Sequence, residues 1–418
     1  MAAAPRGWRR AASVRVCYRV LGARGSEDYS RLVEGLLLSD AERLALDIER
    51  APRGGGGCDA LLLLLATGGV EREALEVATA SWPVAVLAHS AANSAASLAE
   101  IQGDLESLGA LPVYLGALGV GSREALEGLA AAYRAVRAAA ALRGSRLGLV
   151  GEPAPWLPHS PGRLAGRLGV EVARIPVEEL LRGIPTEPPR PPAWLLELAL
   201  GVRASGEALR RAMRVYAALR RLAEEEGLDA IAPSCPSFLE EAGSNACLAM
   251  TLLNTEGLTV GCEGDVPATI TLHLAQLAAA RPGFLANTAW ARRGVVGLAH
   301  CGAPPSMGLA YSIERHFITG SSPTLAVWIP AGLRATLAQA SWDASRLIVA
   351  EGTIASGAPW RGRQCETQVE ISLDTTRLGL LGAGNHAVLL LGSWGRAIAL
   401  AWRALNPGAP VEAVGVSP

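Results

Sequence analysis

The stretch Asp59-Ala60-Leu61-Leu62-Leu63-Leu64-Leu65-Ala66-Thr67-Gly68-Gly69 decides the fold. Its apolar run is far too short to span a bilayer, and the Gly-Gly turn that closes it leads into the helical pattern Glu71–Ala80. It therefore reads as a strand buried on both faces and followed by a helix. The same alternation repeats on either side. Val14–Leu21, Pro83–Ala88 and Leu111–Leu118 read as strands, and Tyr29–Arg50, Ala92–Leu108 and Arg123–Arg143 as helices. Strands separated by helices make βαβ units and a parallel sheet. Ser122 is placed to cap the last helix and Gly144 to close it, so a first domain spans residues 1–144.

A second round follows over residues 145–310. Strands are expected at Arg146–Val150, Val170–Ile175, Asp229–Ala232, Leu258–Cys262 and Val295–Ala299, with helices at Gly162–Leu168 and Ser205–Glu226. Pro185–Pro192 carries five prolines in eight residues and is read as an extended crossing segment. Beyond Tyr311 the texture changes. Short β-prone runs (Leu325–Ile329, Arg346–Glu351, Glu366–Leu373, Ala387–Leu391) are broken by Gly, Ser and Pro, and a helix returns only at Trp394–Leu405. The expected fold is α/β: two Rossmann-like parallel-sheet domains, then a smaller, mostly antiparallel β-rich domain over residues 311–418.

Composition narrows the chemistry. The net charge of −1 favours neither nucleic acid nor an anionic membrane. The Ala/Arg-rich first twelve residues lack the apolar core of a signal peptide, so a cytoplasmic protein is expected. All 38 basic residues are arginine. Without lysine the chain can form neither a lysine Schiff base nor the usual pyridoxal phosphate linkage nor a Walker-A loop. The turns Gly68-Gly69 and Gly148-x-x-Gly151 are incomplete dinucleotide fingerprints, so no NAD is expected either. The seven cysteines include no C-x-x-C pair and read mostly as buried thiols, with no disulfide framework. That applies also to Cys235, Cys247, Cys262 and Cys301, which fall near strand ends without ligand-pair spacing.

Open α/β sheets bind ligands beyond the carboxyl ends of their strands. In the second domain those ends are Pro233-Ser234-Cys235-Pro236, Cys262-Glu263-Gly264-Asp265 and His300-Cys301-Gly302. Asp265 precedes Val266-Pro267 and reads as the cap of the next helix, Val266–Ala280. Glu263 has no such duty and is the principal candidate for metal binding or general-base work. Among the histidines, His386 follows the Gly382-Ala383-Gly384-Asn385 loop as a candidate ligand. His300, His316 and His89 are candidates for substrate contact, His159 reads as a surface residue and His273 as helix packing. Ten tryptophans against three phenylalanines draw attention to Trp290 and Trp394, near the candidate site, as apolar faces on which a ligand ring can stack. Arg361-Gly362-Arg363-Gln364-Cys365 reads as a solvated turn.

The segments Cys262-Glu263-Gly264-Asp265-Val266-Pro267-Ala268, Pro282-Gly283-Phe284-Leu285-Ala286-Asn287, His300-Cys301-Gly302-Ala303-Pro304 and Gly384-Asn385-His386, in this order, resemble the L-fucose/L-arabinose isomerase superfamily, specifically its archaeal-type fucose-isomerase-like members. The resemblance covers roughly the last two thirds of the chain. It implies a manganese-type divalent ion held by a Glu and an Asp of the second domain and a His of the third. By position these are Glu263, Asn287 and His386, with Glu263 and position 287 sharing the catalytic work.

The implied activity is a metal-dependent aldose–ketose isomerisation of a pentose or 6-deoxyhexose through an ene-diol, in a homo-oligomer. Asn287 departs from the pattern. An amide oxygen can ligate a hard cation but cannot take a proton. The alternative is therefore a relative repurposed to other sugar chemistry, such as epimerisation or retro-aldol cleavage, or a non-catalytic sugar-binding one.

Overall fold

The computed structural model describes residues 10–11, 13–52, 57–158, 162–292, 294–358, 364–373 and 384–416. His159, residues 361–363 of the arginine-rich turn and Gly382-Ala383 lie outside them. The chain divides into two compact units: Ala11–Arg143 with Arg396–Ala409, and Met1–Arg10 with Gly144–Gly395 and Pro410–Pro418.

In the first unit β1 (Val16–Leu21), β2 (Glu49–Arg50), β3 (Ala60–Leu65), β4 (Val84–Ala88) and β5 (Leu111–Tyr114) form a parallel sheet in the order β2-β1-β3-β4-β5. The leucine run is its centre: every residue of β3 is buried, as a strand covered by helices on both faces requires. Those helices are α1 (Glu27–Arg43), α2 (Glu71–Ala80), α3 (Ser94–Ser107) and α4 (Arg123–Leu142). The Ser122 hydroxyl accepts from Ala125 N at 3.2 Å and caps α4, and Gly144 follows the helix with a φ of +76°. The expectation of mostly buried thiols holds with one exception. Cys17 and Cys58 form a disulfide, whereas the other five cysteines are free thiols. Spacing gave no hint, because the bond joins β1 to the segment just before β3 across 41 residues of sequence.

The second unit opens with another parallel sheet, β7-β6-β8-β9, built from β6 (Arg146–Val150), β7 (Glu171–Ile175), β8 (Ala230–Pro233) and β9 (Thr259–Val260). Its helices are α5 (Gly162–Leu168), α6 (Val177–Arg182), α7 (Ala193–Glu197), α8 (Gly206–Glu225), α9 (Cys235–Ala242), α10 (Cys247–Glu256) and α11 (Val266–Ala279). The proline-rich stretch forms neither helix nor strand.

Seven strands complete this unit: β10 (Phe284–Arg292), β11 (Val295–His300), β14 (Arg334–Ala340), β15 (Leu347–Ser356), β16 (Thr367–Ser372), β17 (His386–Leu391) and β18 (Val411–Val414), numbered around the hairpin β12 (Ala310–Arg315) and β13 (Pro323–Trp328). Their order is β14-β17-β10-β11-β16-β15-β18, and β14 also pairs with β15. That extra pairing closes six antiparallel strands into a small barrel and leaves only β18 outside the ring, parallel to β15. Val295–Ala299 was expected to extend the second parallel sheet. It lies instead in the barrel as β11, because the Gly294 turn folds it back antiparallel on β10. The last helix, α12 (Gly395–Leu405), falls with the first unit through Arg396–Ala409, where Ala404 O accepts from Trp82 Nε1 at 3.2 Å.

Helix α11 joins the two halves of the second unit. Its residues are buried almost all the way round, as a helix enclosed on every side must be, and it touches β8 and β9 on one side and β14 and β17 on the other. Its N-terminus therefore faces the start of β17, which brings Asp265 up to His386. Among the described residues no helix is long and apolar enough to cross a membrane.

Candidate metal centre and substrate pocket

The turn from β9 to α11 positions two carboxylates. Asp265 Oδ1 accepts from Ala268 N at 3.0 Å, the N-cap bond that satisfies an otherwise orphaned helix donor. Glu263 takes a φ of +58°, a left-handed conformation that is costly for a residue with a Cβ, and Gly264 follows at +68°. Only glycine fits at 264, since a Cβ there would lie 2.8 Å from Pro153 Cα. The strained turn sets the Glu263 carboxylate at the wall of a cavity, where Oε2 accepts from Trp156 Nε1 at 2.7 Å.

His386, the first residue of β17, is 3% exposed. Its Nδ1 lies 2.8 Å from Asp265 Oδ2 and its Nε2 3.8 Å from Glu263 Oε2. One carboxylate thus does two jobs that sequence reasoning treated as exclusive: Asp265 caps α11 with one oxygen and orients His386 with the other. Burial opposes protonation of His386, but the Asp265 hydrogen bond and the Asp265 and Glu263 charges outweigh it and raise its pKa. A site that favours a proton in this way also favours a metal cation. His300, at the end of β11, lies edge-on to His386 with ring centroids 5.6 Å apart. Burial, reinforced by the neighbouring His386, pushes its pKa down to about 3, so the ring is a neutral donor.

Glu263, His300 and His386 each present a ligand atom, all within 4.8 Å of one another. Among the described residues His386 Nε2 and His300 Nδ1, both buried, have no hydrogen-bond partner. Buried polar atoms are nearly always satisfied, and a cation shared by this set would satisfy such a pair. The residues therefore fit a divalent ion. With its Nδ1–H donated to Asp265, His386 has the tautomer that leaves Nε2 free, the arrangement metal-bound histidines commonly use.

Asn287 is the register partner of His386 across β10 and β17. Its Oδ1 accepts from Asn385 Nδ2 at 2.7 Å, a bond that uses the amide oxygen expected to ligate. The structure brings His300 to the set, where the sequence reading expected a substrate contact. The cavity, about 290 Å³, is walled by Trp156, Trp342, Pro153 and Pro267, with Glu263, Asp265 and His386 at its polar end.

Trp290 and Trp394 are not among its lining residues; their rings lie under the Arg292 and Arg281 guanidinium groups. The indoles that do line it were missed, although Trp156 lies just past the carboxyl end of β6, where ligand contacts are expected. His316 is buried beside Cys247 and Cys301 and does not line the cavity. His89 belongs to the first unit, its Nε2 3.0 Å from Ala66 O and its Nδ1 accepting from Ala91 N.

A parallel α/β layer joined to a small barrel, with a carboxylate and two imidazoles converging beside a tryptophan-walled pocket, gives the chain the capacity to hold a divalent metal next to a small-molecule cavity. Sequence comparison adds a distant homology to sugar isomerases. The chain is 26% identical over 213 residues to a sulfoquinovose isomerase of Alkalicoccus urumqiensis, covering 47% of this chain and 46% of that protein. It is 23% identical over 284 residues to the sulfoquinovose isomerases of Priestia aryabhattai and Priestia megaterium, covering 62% of each chain. The chain thus spans about half to three fifths of the length of these curated relatives. No protein-family profile matches it.

Proposed function

We propose that the chain is a metal-dependent aldose–ketose isomerase whose centre is Glu263, His300 and His386. The observation that carries this reading is the convergence of those three ligand atoms, two of them buried nitrogens without a hydrogen-bond partner among the described residues. Two imidazoles and one carboxylate suit a first-row divalent ion better than calcium or magnesium, and Mn²⁺ is our first choice. When bound, the ion supplies charge stabilisation at the carbonyl and hydroxyl oxygens of an open-chain sugar.

The chain's own groups do the rest. Glu263 removes the proton from substrate C2 and returns it to C1 through an ene-diol, while the hydroxyl proton passes from O2 to O1. Trp156 Nε1–H fixes the Glu263 oxygen that must be aimed at C2. Asp265 holds His386 in one tautomer. The indoles of Trp156 and Trp342 shield the carbanion equivalent from water and give a sugar two apolar faces. The substrate is an aldose of five or six carbons, with pentoses, 6-deoxyhexoses and, from the relatives' name, the sulfonated hexose sulfoquinovose as the sugars to try.

Asn287 favours a second reading, a repurposed or non-catalytic sugar-binding protein, because it offers no second proton carrier. One assay decides between the two: ketose formation from that panel with and without Mn²⁺, for wild type, Glu263→Gln and Asn287→Asp. Mn²⁺-dependent turnover in wild type that is lost in Glu263→Gln supports the isomerase. Inert wild type with an active Asn287→Asp supports the second reading.

A further inference from the structure

Five free thiols scattered from residue 235 to residue 365 gather in one place in the second unit. Cys235 Sγ lies 3.1 Å from Cys262 Sγ, and Cys301 Sγ lies 3.4 Å from Cys365 Sγ. Cys247 sits between the two pairs, its thiol against that of Cys235 on one side and Cys301 on the other. His316 completes the group: one of its ring nitrogens and the sulfurs of Cys247 and Cys301 lie within 4.8 Å of one another. Thr319 lies against the ring, its hydroxyl and backbone N–H each 3.3 Å from Nδ1; with a metal at Nε2 the Nδ1 proton would be donated to the Thr319 hydroxyl. Cys247, Cys301 and His316 are all buried. Four separate elements supply the group: the N-termini of α9 and α10, the end of β11 and the turn after β12. The sulfurs are therefore assembled by the tertiary fold, which is why no ligand-pair spacing shows in the sequence.

We propose that Cys235, Cys247, Cys301 and His316 form a second metal site, for a soft divalent ion of the Zn²⁺ type. Three thiolates and one imidazole are a common tetrahedral set for structural zinc, in which sulfurs ~2.3 Å from the ion stand roughly 3.8 Å apart. Cys247, Cys301 and His316 already lie within reach of one ion, and Cys235, whose thiol meets that of Cys247, is the fourth ligand such an ion would recruit. Cys262 and Cys365 lie outside the ligand set, each in contact with one of its sulfurs, where their S–H groups would donate to the thiolates once a metal is bound. The site differs in ligand softness from Glu263, His300 and His386, so the two select different ions, and it does not rest on the isomerase reading. Its role is structural: it ties the carboxyl edge of the parallel sheet to the barrel and its hairpin.

The test is a Co²⁺ titration of the full chain, stripped of metal with its five thiols reduced, followed by absorption spectroscopy. The expected result is a thiolate-to-cobalt charge-transfer band of a tetrahedral sulfur site that saturates with one Co²⁺ per chain bound at the thiols, whatever Co²⁺ the Glu263 site also takes up, and that Zn²⁺ displaces. The band should persist in Glu263→Gln, vanish in Cys247→Ser, and shift in His316→Ala. Should Cys247→Ser fail to fold, the wild-type spectrum and His316→Ala still decide. Absence of the band in wild type whose five thiols titrate as free, or a band unchanged in His316→Ala, overturns the proposal and leaves the cysteines as packed core.

Discussion

Asp265 Oδ2 lies 2.8 Å from His386 Nδ1 while Asp265 Oδ1 caps helix α11, so the tautomer of a candidate ligand is fixed by a residue that also starts a helix. The two duties separate by substitution. Asn at 265 keeps the capping oxygen but presents an N–H to His386 Nδ1, which favours the wrong tautomer. Asp265→Asn should therefore lose about 10–100-fold in Mn²⁺ affinity by calorimetry with little change in metal-free stability. Asp265→Ala should lose the affinity and also about 0.5–2 kcal/mol of stability. Wild-type Mn²⁺ affinity in Asp265→Asn would show that the contact does not matter for binding.

The left-handed backbone of Glu263 predicts a trade of function against stability. Glycine adopts a φ near +58° without the Cβ clash, so Glu263→Gly should leave the metal-free protein as stable as wild type or about 1 kcal/mol more so. The same variant should lose metal-dependent turnover. A marked fall in thermal midpoint would mean that the Glu263 side chain holds the fold together.

Trp156 tests the aim of the base. Trp156→Phe keeps an aromatic wall but removes the N–H donated to Glu263, and a hydrogen bond to a charged group contributes about 1.5–3 kcal/mol. We expect kcat to fall tenfold or more with KM nearly unchanged, whereas Trp156→Ala should raise KM as well. Equal kinetics in Trp156→Phe and wild type would remove the positioning role.

Acid stability should depend on His273, well away from the pocket. It is buried in α11 with Nδ1 2.8 Å from Thr259 Oγ1, whose own proton goes to Gln276 Oε1, so the ring donates there as a neutral imidazole. Burial, with a smaller contribution from Arg10, pushes its pKa down to about 3. A histidine depressed on folding costs nothing above its unfolded value near 6.5. It costs stability as the pH falls from there towards about 3, by up to about 1.4 kcal/mol per pH unit. Denaturant unfolding should show that slope in wild type and a flatter one in His273→Gln. The same slope in both would place the acid sensitivity elsewhere.

The sequence made the layers legible because local patterns encode them. The leucine run of β3 and the Ser122 and Asp265 caps are short-range signals, and the structure bears them out. What it hid were pairings made at a distance. Val295–Ala299 has the same apolar texture in a parallel sheet as in a barrel, and only its pairing with β10 and β16 distinguishes the two. Asp265 was read as a cap alone because the sequence does not show that β17 begins opposite α11. His300 looked like a substrate contact because its approach to His386 depends on β11 and β17 pairing on either side of β10, and the five thiols likewise meet only through tertiary contacts. Glu263 and His386 could be picked out early because each falls at an element boundary, where few structural duties compete.

The central claim, that Glu263, His300 and His386 hold one divalent ion, is tested most directly by anomalous scattering from crystals loaded with Mn²⁺. The account predicts a single strong peak within about 2.0–2.6 Å of a Glu263 oxygen and a nitrogen of each histidine, with Asn287 Oδ1 still bonded to Asn385. A peak held by Asn287 without His300, or no peak beside Glu263 in fully loaded crystals, would contradict it.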